Sequence, residues 1–281
     1  MRLDIPPGWR LVREWGPGPF ITHADIERPD GVVVGWSSRR HRKRLGLASG
    51  TARQRHLARP STTSLQIGGL FAIGSVCFAL GSLPAYFDTV SASVTAWTFF
   101  VGSIFFTTAA YLQYHETATA PMGVLRTSGN PRGWKALVHW DAHRIDWWSS
   151  AIQFAGTIMF NITTFAGTRG DLSLQQERHL IWAPDAGGSV CFLIASWLAF
   201  SEVAANRWWM PQRDLGWTIS AANMIGSVAF GASAIGARYL RSSGDMANLA
   251  LVNAGTFIGA ICFLIGALLL PVESATETEV E

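Results

Sequence analysis

Six stretches of about twenty residues carry no full charge in their interiors, and each is long enough to cross the ~30 Å hydrocarbon core of a bilayer as a helix. They run over residues 65–84, 92–113, 147–168, 186–205, 215–237 and 247–270. A chain built this way has little freedom. In hydrocarbon every backbone amide must be satisfied within its own helix, so the expected fold class is an all-α integral membrane protein, six transmembrane helices in three hairpins. Pro184, at the edge of the fourth stretch, reads as a first-turn residue, where a missing amide proton costs nothing.

Only 15% of the 281 residues are charged, against about 25% in ordinary soluble domains. The charge is also unevenly placed. Of the 22 Lys and Arg, 12 precede residue 60, so the basic balance belongs to the N-terminal segment and is not a nucleic-acid footprint. With the N-terminus inside, the inner connections hold 18 basic residues and the outer ones 4. The positive-inside rule then places both termini in the cytoplasm of a bacterial cell, with the chain in its inner membrane. Trp147, Trp148, Trp182, Trp208, Trp209 and Trp217 fall at helix ends, the depth aromatic belts favour. No secretory leader is expected, since the first apolar run begins near Leu65.

Three domains follow: residues 1–62, a small basic cytoplasmic extension; 63–271, the transmembrane domain; and 272–281, a short acidic tail expected to be disordered. In the extension, Gly31 to Trp36 reads as a short strand after Pro29-Asp30. The run Arg39-Arg40-His41-Arg42-Lys43-Arg44 reads as a topology determinant that meets anionic lipid headgroups. Residues 134–148 have helical apolar spacing and suggest an interfacial helix.

Every stretch contains one copy of Gly-small-(Val/Ile)-x-Phe. The Gly and Phe positions are Gly74 and Phe78, Gly102 and Phe106, Gly156 and Phe160, Gly188 and Phe192, Gly226 and Phe230, and Gly259 and Phe263. Seven residues after each Gly stands another small residue, Gly81, Ala109, Thr163, Ala195, Ser233 or Gly266. Small residues let helix backbones approach in lipid, so the repeat reads first as a packing code. A sharper reading is a pseudo-symmetric bundle around a shared axis, as in transporters built from internal repeats. The first pair, Phe71–Phe78 followed by Phe99–Phe106, resembles the small two-helix YrhK-like family of bacterial membrane proteins. The resemblance implies a hairpin shape and no catalytic residue. This chain departs from it in having three hairpins and a longer N-terminal segment.

Chemistry-bearing residues are sparse. Cys77, Met159, Cys191 and Cys262 share one repeat register and would suit a soft metal if they converged, although Cys and Met are also common gap-fillers. His139 and His143 lie four apart, and His115-Glu116 closes the second span on the same side, which makes these four a candidate metal set. Gln153, Asp185 and Asn223 precede a repeat Gly by one turn, and Gln153, Asn161, Asn223 and Asn253 could line a polar pathway. P-loop, nucleophile-elbow and retinal-lysine signatures are missing, so no cofactor is expected and an enzyme is the lesser expectation. The leading expectation is a passive permease or channel-like protein for a small neutral or weakly polar solute. The alternatives are a scaffold or sensor acting through partners, and a metal-dependent membrane enzyme. Expected partners are the lipid bilayer, anionic headgroups and a second copy of the chain, but not nucleic acid.

Overall fold

The computed structural model describes residues 3–44, 46–49, 59–121, 123–125, 138, 141–204, 214–240 and 246–276. Its N-terminal part is an antiparallel meander of β1 (Arg10–Trp15), β2 (His23–Glu27), β3 (Val33–Ser37) and β4 (Ala48–Ser49), in that order across the sheet. Alternation puts Ala24, Ile26, Val34 and Trp36 on one buried face, where Val124 from a later loop joins them. The β2–β3 turn needs a left-handed residue, supplied by Gly31 at φ 82, and the Asp30 carboxylate accepts from the Val32 amide. Ser37 then caps α1 (Ser38–Arg42).

The helical part comprises α2 (Thr62–Ser82), a short α3 (Pro84–Phe87), α4 (Ala92–Ala118), α5 (Ile145–Gly167), α6 (Leu174–Gln176), a π-helical turn over Glu177–Trp182, α7 (Ala183–Ala204), α8 (Leu215–Gly236) and α9 (Leu249–Thr276). Among the described residues, five helical segments are long and apolar enough to cross a membrane, namely α2, α4, the continuous run from Leu174 to Ala204, α8 and α9. The chain is thus a membrane-type helical protein. The sixth long helix, α5, is not among the five; it carries Asp146, Gln153, Asn161 and several hydroxyls in 23 residues.

Three boundaries differ from the sequence reading. The fourth apolar stretch is helical from Leu174 onward, so Pro184 lies inside a helix and not at its first turn. The π turn stands directly before it, where the missing proline amide could not close an α-type bond. The tail begins later than residue 272: α9 runs through Pro271 to Thr276, and Glu273 in its last turn is fully buried. Of the interfacial helix expected at 134–148, residues 134–137, 139 and 140 lie outside the described residues; 142 and 143 form a turn, and α5 starts at Ile145.

The six long helices close into a ring, each touching the next in the order α2, α4, α5, α7, α8, α9 and back to α2. The repeat explains the ring residue by residue. The glycines are apposed in three pairs, α2 with α4, α5 with α7 and α8 with α9. A Cβ on Gly188 would stand 3.1 Å from the Gly156 carbonyl oxygen, and one on Gly259 3.1 Å from that of Gly226. The next residue, Ser75, Ser103, Thr157, Ser189, Ser227 or Ala260, is buried and several of these bond across to the neighbouring pair, as in Ser103 with Thr164 (2.8 Å) and Ser227 with Ser196 (2.7 Å). The β-branched residue faces outward: Val76, Ile104, Ile158, Val190 and Val228 are exposed, as lipid-facing residues are. The Phe points to the axis, and all six meet there. Phe106 and Phe192 each lie against Phe263, with ring centroids 6.0 and 5.5 Å apart, although their helices are not neighbours in the ring.

Adjacent glycines on α2 test this packing. A Cβ on Gly68 would stand 2.7 Å from the Ala267 carbonyl oxygen, whereas one on Gly69 meets nothing within 4 Å. Gly68→Ala is therefore expected to destabilise the protein by about 1–3 kcal/mol through overpacking. Gly69→Ala should be neutral or stabilising by up to about 1 kcal/mol from helix propensity. Thermal unfolding in detergent checks the difference.

Candidate functional site

The axial phenylalanines divide the interior of the ring into two cavities, each lined by residues of all six long helices. One is an open vestibule of ≈ 580 Å³ whose floor is formed by Phe78, Phe160 and Phe230. The other is a small cavity of ≈ 70 Å³ below Phe71 and Phe263, at the end where α1 docks. The small cavity is polar. Gln113, Gln153 and Asn223 reach it from α4, α5 and α8, with Ser64, Ser149 and Ser220 nearby.

Its mouth is covered by α1 and closed by charge. Arg39 grips Glu273 with two bonds, Nε to Oε1 at 2.6 Å and Nη2 to Oε2 at 3.0 Å, and Lys43 pairs with the same carboxylate. Arg42 lies 3.5 Å from both Asp146 and Glu202, and Ser38 Oγ donates to Glu202 at 2.5 Å. Arg144 Nη2 donates to Asp146 at 2.6 Å and its Nη1 to the Thr117 carbonyl at 3.1 Å. Asp146, Glu202 and Glu273 are at most 2% exposed. Glu116 lines the cavity facing the charges of Arg39, Arg42, Lys43 and Arg44. Four carboxylates thus meet a basic cluster in a place largely closed to water, where breaking one pair strands a buried charge.

The glutamates obey the repeat. Glu116, Glu202 and Glu273 each stand fourteen residues after the repeat glycine of the second helix of a pair, Gly102, Gly188 and Gly259. Fourteen residues is close to four helical turns, so all three point inward at the same end of the ring. Reading each stretch two turns past its last apolar residue would have exposed this spacing. The glutamates stand two turns beyond the small residue at the seventh position, where the packing repeat ends.

Beside this cluster a second pocket, ≈ 180 Å³, lies between the sheet and the bundle and is bordered by Trp36, His41, His143 and Trp147. His41 Nε2 lies 2.9 Å from the Pro121 carbonyl oxygen, so that nitrogen carries the proton. Burial holds His41 below its ordinary value of 6.5, with the Arg144 charge adding to the effect and the carbonyl bond and Asp146 opposing it. The imidazole is therefore a neutral spacer between sheet and bundle.

The structure separates most of the residues singled out from sequence. Of the pathway amides, Gln153 and Asn223 meet in the small cavity. Asn161 Oδ1 is buried without a hydrogen-bond partner on α5, and Asn253 lines neither cavity. Of the metal set, Glu116 lines the cavity, His115 is exposed beside Tyr111, and His143 is exposed at the sheet interface, while His139 lies outside the described residues. Cys77 and Cys191 pack on Gly102 and Gly156, and Cys262 on Gly226, at three different pair interfaces. Among the described residues no three His, Cys, Asp or Glu side chains are placed to hold a metal ion. The basic run also differs from its surface reading: Arg39, Arg42 and Lys43 face carboxylates of the bundle. Comparison with protein-family models, with curated proteins and with solved structures gave no match.

The cluster gives a direct prediction. Glu273→Gln removes the shared partner of Arg39 and Lys43 and should cost about 3 kcal/mol. Limited trypsin digestion is expected to cut between Arg39 and Arg44 at least ~10-fold faster than in the wild type, because cleavage follows the population of the undocked segment. An unchanged cleavage rate would show that α1 is held by other contacts.

Proposed function

We propose that this protein is a gated passive permease, channel-like in form, for a small neutral or weakly polar solute. The observation that carries the reading is the pair of cavities on one axis, separated by a single layer of phenylalanine side chains. Hydrophobic constrictions of this kind gate pores by excluding water. Among the described residues, the charged groups that line the two cavities stand away from the phenylalanine layer, Arg39, Arg42, Lys43, Glu116, Asp146 and Glu202 on one side and Arg169, Glu177 and Asp185 on the other. A pathway without a charge at its centre suits a neutral solute and offers no station for a coupled ion.

In this reading all six long helices span the bilayer as three hairpins, with the basic segment and both termini on the cytoplasmic side of a bacterial inner membrane. The positive-inside bias supports that orientation. The α1 segment is then a cytoplasmic cover, held on the pore by the repeat glutamates. Anionic headgroups are proposed partners for the basic residues beyond that cover, Arg44 among them. Assembly with a second copy would use the exposed outer faces of the ring.

Uptake of glycerol or urea into proteoliposomes, followed by light scattering, tests the proposal. Phe192 contacts Phe106, Phe160, Phe230 and Phe263. Phe192→Ala should widen the layer at a cost of about 3–5 kcal/mol in stability. We expect its uptake to exceed wild-type uptake by roughly tenfold, equivalent to about 1.4 kcal/mol off the barrier. If folded wild-type and Phe192→Ala protein both leave uptake at the level of empty liposomes, the permease reading fails, and a scaffold or sensor acting through partners takes its place.

A further inference from the structure

The open vestibule contains one carboxylate that the permeation pathway does not use. Asp185 projects from the first turn of α7, directly after the π turn and Pro184, and is half-buried in the vestibule wall. Among the described residues it makes no hydrogen bond and no ion pair. The neighbouring hydroxyls are already engaged: Thr163 donates to the Ile181 carbonyl at 2.9 Å, and Ser233 and Thr256 bond each other at 2.9 Å. Arg169 also lines the vestibule, but it is exposed at the rim and forms no ion pair with Asp185. Tyr239 and a second carboxylate, Glu177, complete the ionisable lining.

The surroundings of Asp185 are aromatic. Phe87, Phe99, Phe160 and Phe230 contribute to the walls and floor, and Trp182 is fixed by its Nε1 donating to the Ala234 carbonyl at 3.0 Å. A carboxylate left unpaired among apolar walls is costly as a charge, and either a proton or a cation can neutralise it. A divalent metal would need several oxygen ligands, and among the described residues no three His, Cys, Asp or Glu side chains are placed to hold one. Aromatic faces beside a single negative charge suit an organic ammonium ion, which gains both ionic and cation–π attraction. The volume of ≈ 580 Å³ lies in the range of small-molecule pockets. We propose that this vestibule binds a small organic monocation of the alkylammonium class, with Asp185 as its counter-charge and Trp182 and the phenylalanines as its walls. The binding is independent of whether any solute crosses the phenylalanine layer.

The probe is choline, because 3,3-dimethylbutan-1-ol has the same shape with carbon in place of the charged nitrogen. Titration calorimetry on the full-length protein in lipid nanodiscs is expected to show saturable choline binding, with the neutral analogue at least ~10-fold weaker. Asp185→Asn, which keeps shape and removes charge, should weaken choline by ~10-fold or more, while Glu177→Gln at the rim should stay within about twofold. Equal binding of choline and its carbon analogue by the wild type would overturn the proposal without recourse to any variant. So would choline binding unchanged in folded Asp185→Asn, or no saturable binding up to roughly 10 mM. Because calorimetry reads binding and liposome uptake reads passage, a failure here is distinguishable from a failure of the permease reading.

Discussion

Helices in a bilayer gain nothing by hiding apolar surface from one another, because lipid tails are as apolar as leucine. Close contact must therefore come from backbones that can approach, and this chain supplies it with one glycine per long helix, facing the glycine carbonyl or adjoining side chain of its partner. The rest of the ring depends on that approach. Once each glycine is turned toward its mate, helical geometry sends the following hydroxyl toward the next pair, the β-branched residue toward lipid and the Phe toward the axis. Ser75 shows how strict the pattern is. Its counterpart Ser227 bonds Ser196, but the position matching Ser196 across from Ser75 is Ala267, and the Ser75 hydroxyl is buried without a partner.

Charge then does at the end of the ring what glycine does along its length. Buried ion pairs add little net stability over apolar packing, but they are severe about which partners fit. Here they tie the N-terminal segment to three separate helices, since Arg39 and Lys43 reach α9 while Arg42 reaches α5 and α7. Docking of α1 and closure of the ring are thus coupled. A displaced helix would leave a carboxylate or a guanidinium unpaired in a dry site.

Features written in local spacing were legible from sequence. The apolar stretches predicted the long helices to within a few residues at most ends, the five-residue repeat predicted shared packing, and Pro29-Asp30 marked the turn before β3. Features that depend on distant partners were not legible. Glu273 reads as part of an acidic tail until Arg39 and Lys43, more than two hundred residues earlier, are brought beside it. The same holds for the basic run, whose lipid-facing reading follows from composition, whereas its pairing follows from tertiary structure. The π turn before Pro184 has no sequence signature beyond the proline itself. The conflict between a helix-breaking residue and a continuous helix is resolved only by the widened turn.

The convergence of the phenylalanines on one axis is the claim on which the two cavities and the proposed gate stand. It is tested most directly by cross-linking helices that are not neighbours in the ring. In a background with Cys77, Cys191 and Cys262 replaced by alanine, cysteines at Phe192 and Phe263 would be treated with a short membrane-permeant bifunctional thiol reagent. The same treatment would be given to a pair at Val190 and Ile261 on the same two helices. The account predicts cross-linking within one chain for the Phe192–Phe263 pair, whose rings lie 5.5 Å apart, and none for the other pair. Cross-linking of Val190 to Ile261 within one chain, with the phenylalanine positions unlinked, would mean the helices are rotated and the axis is lined by other residues.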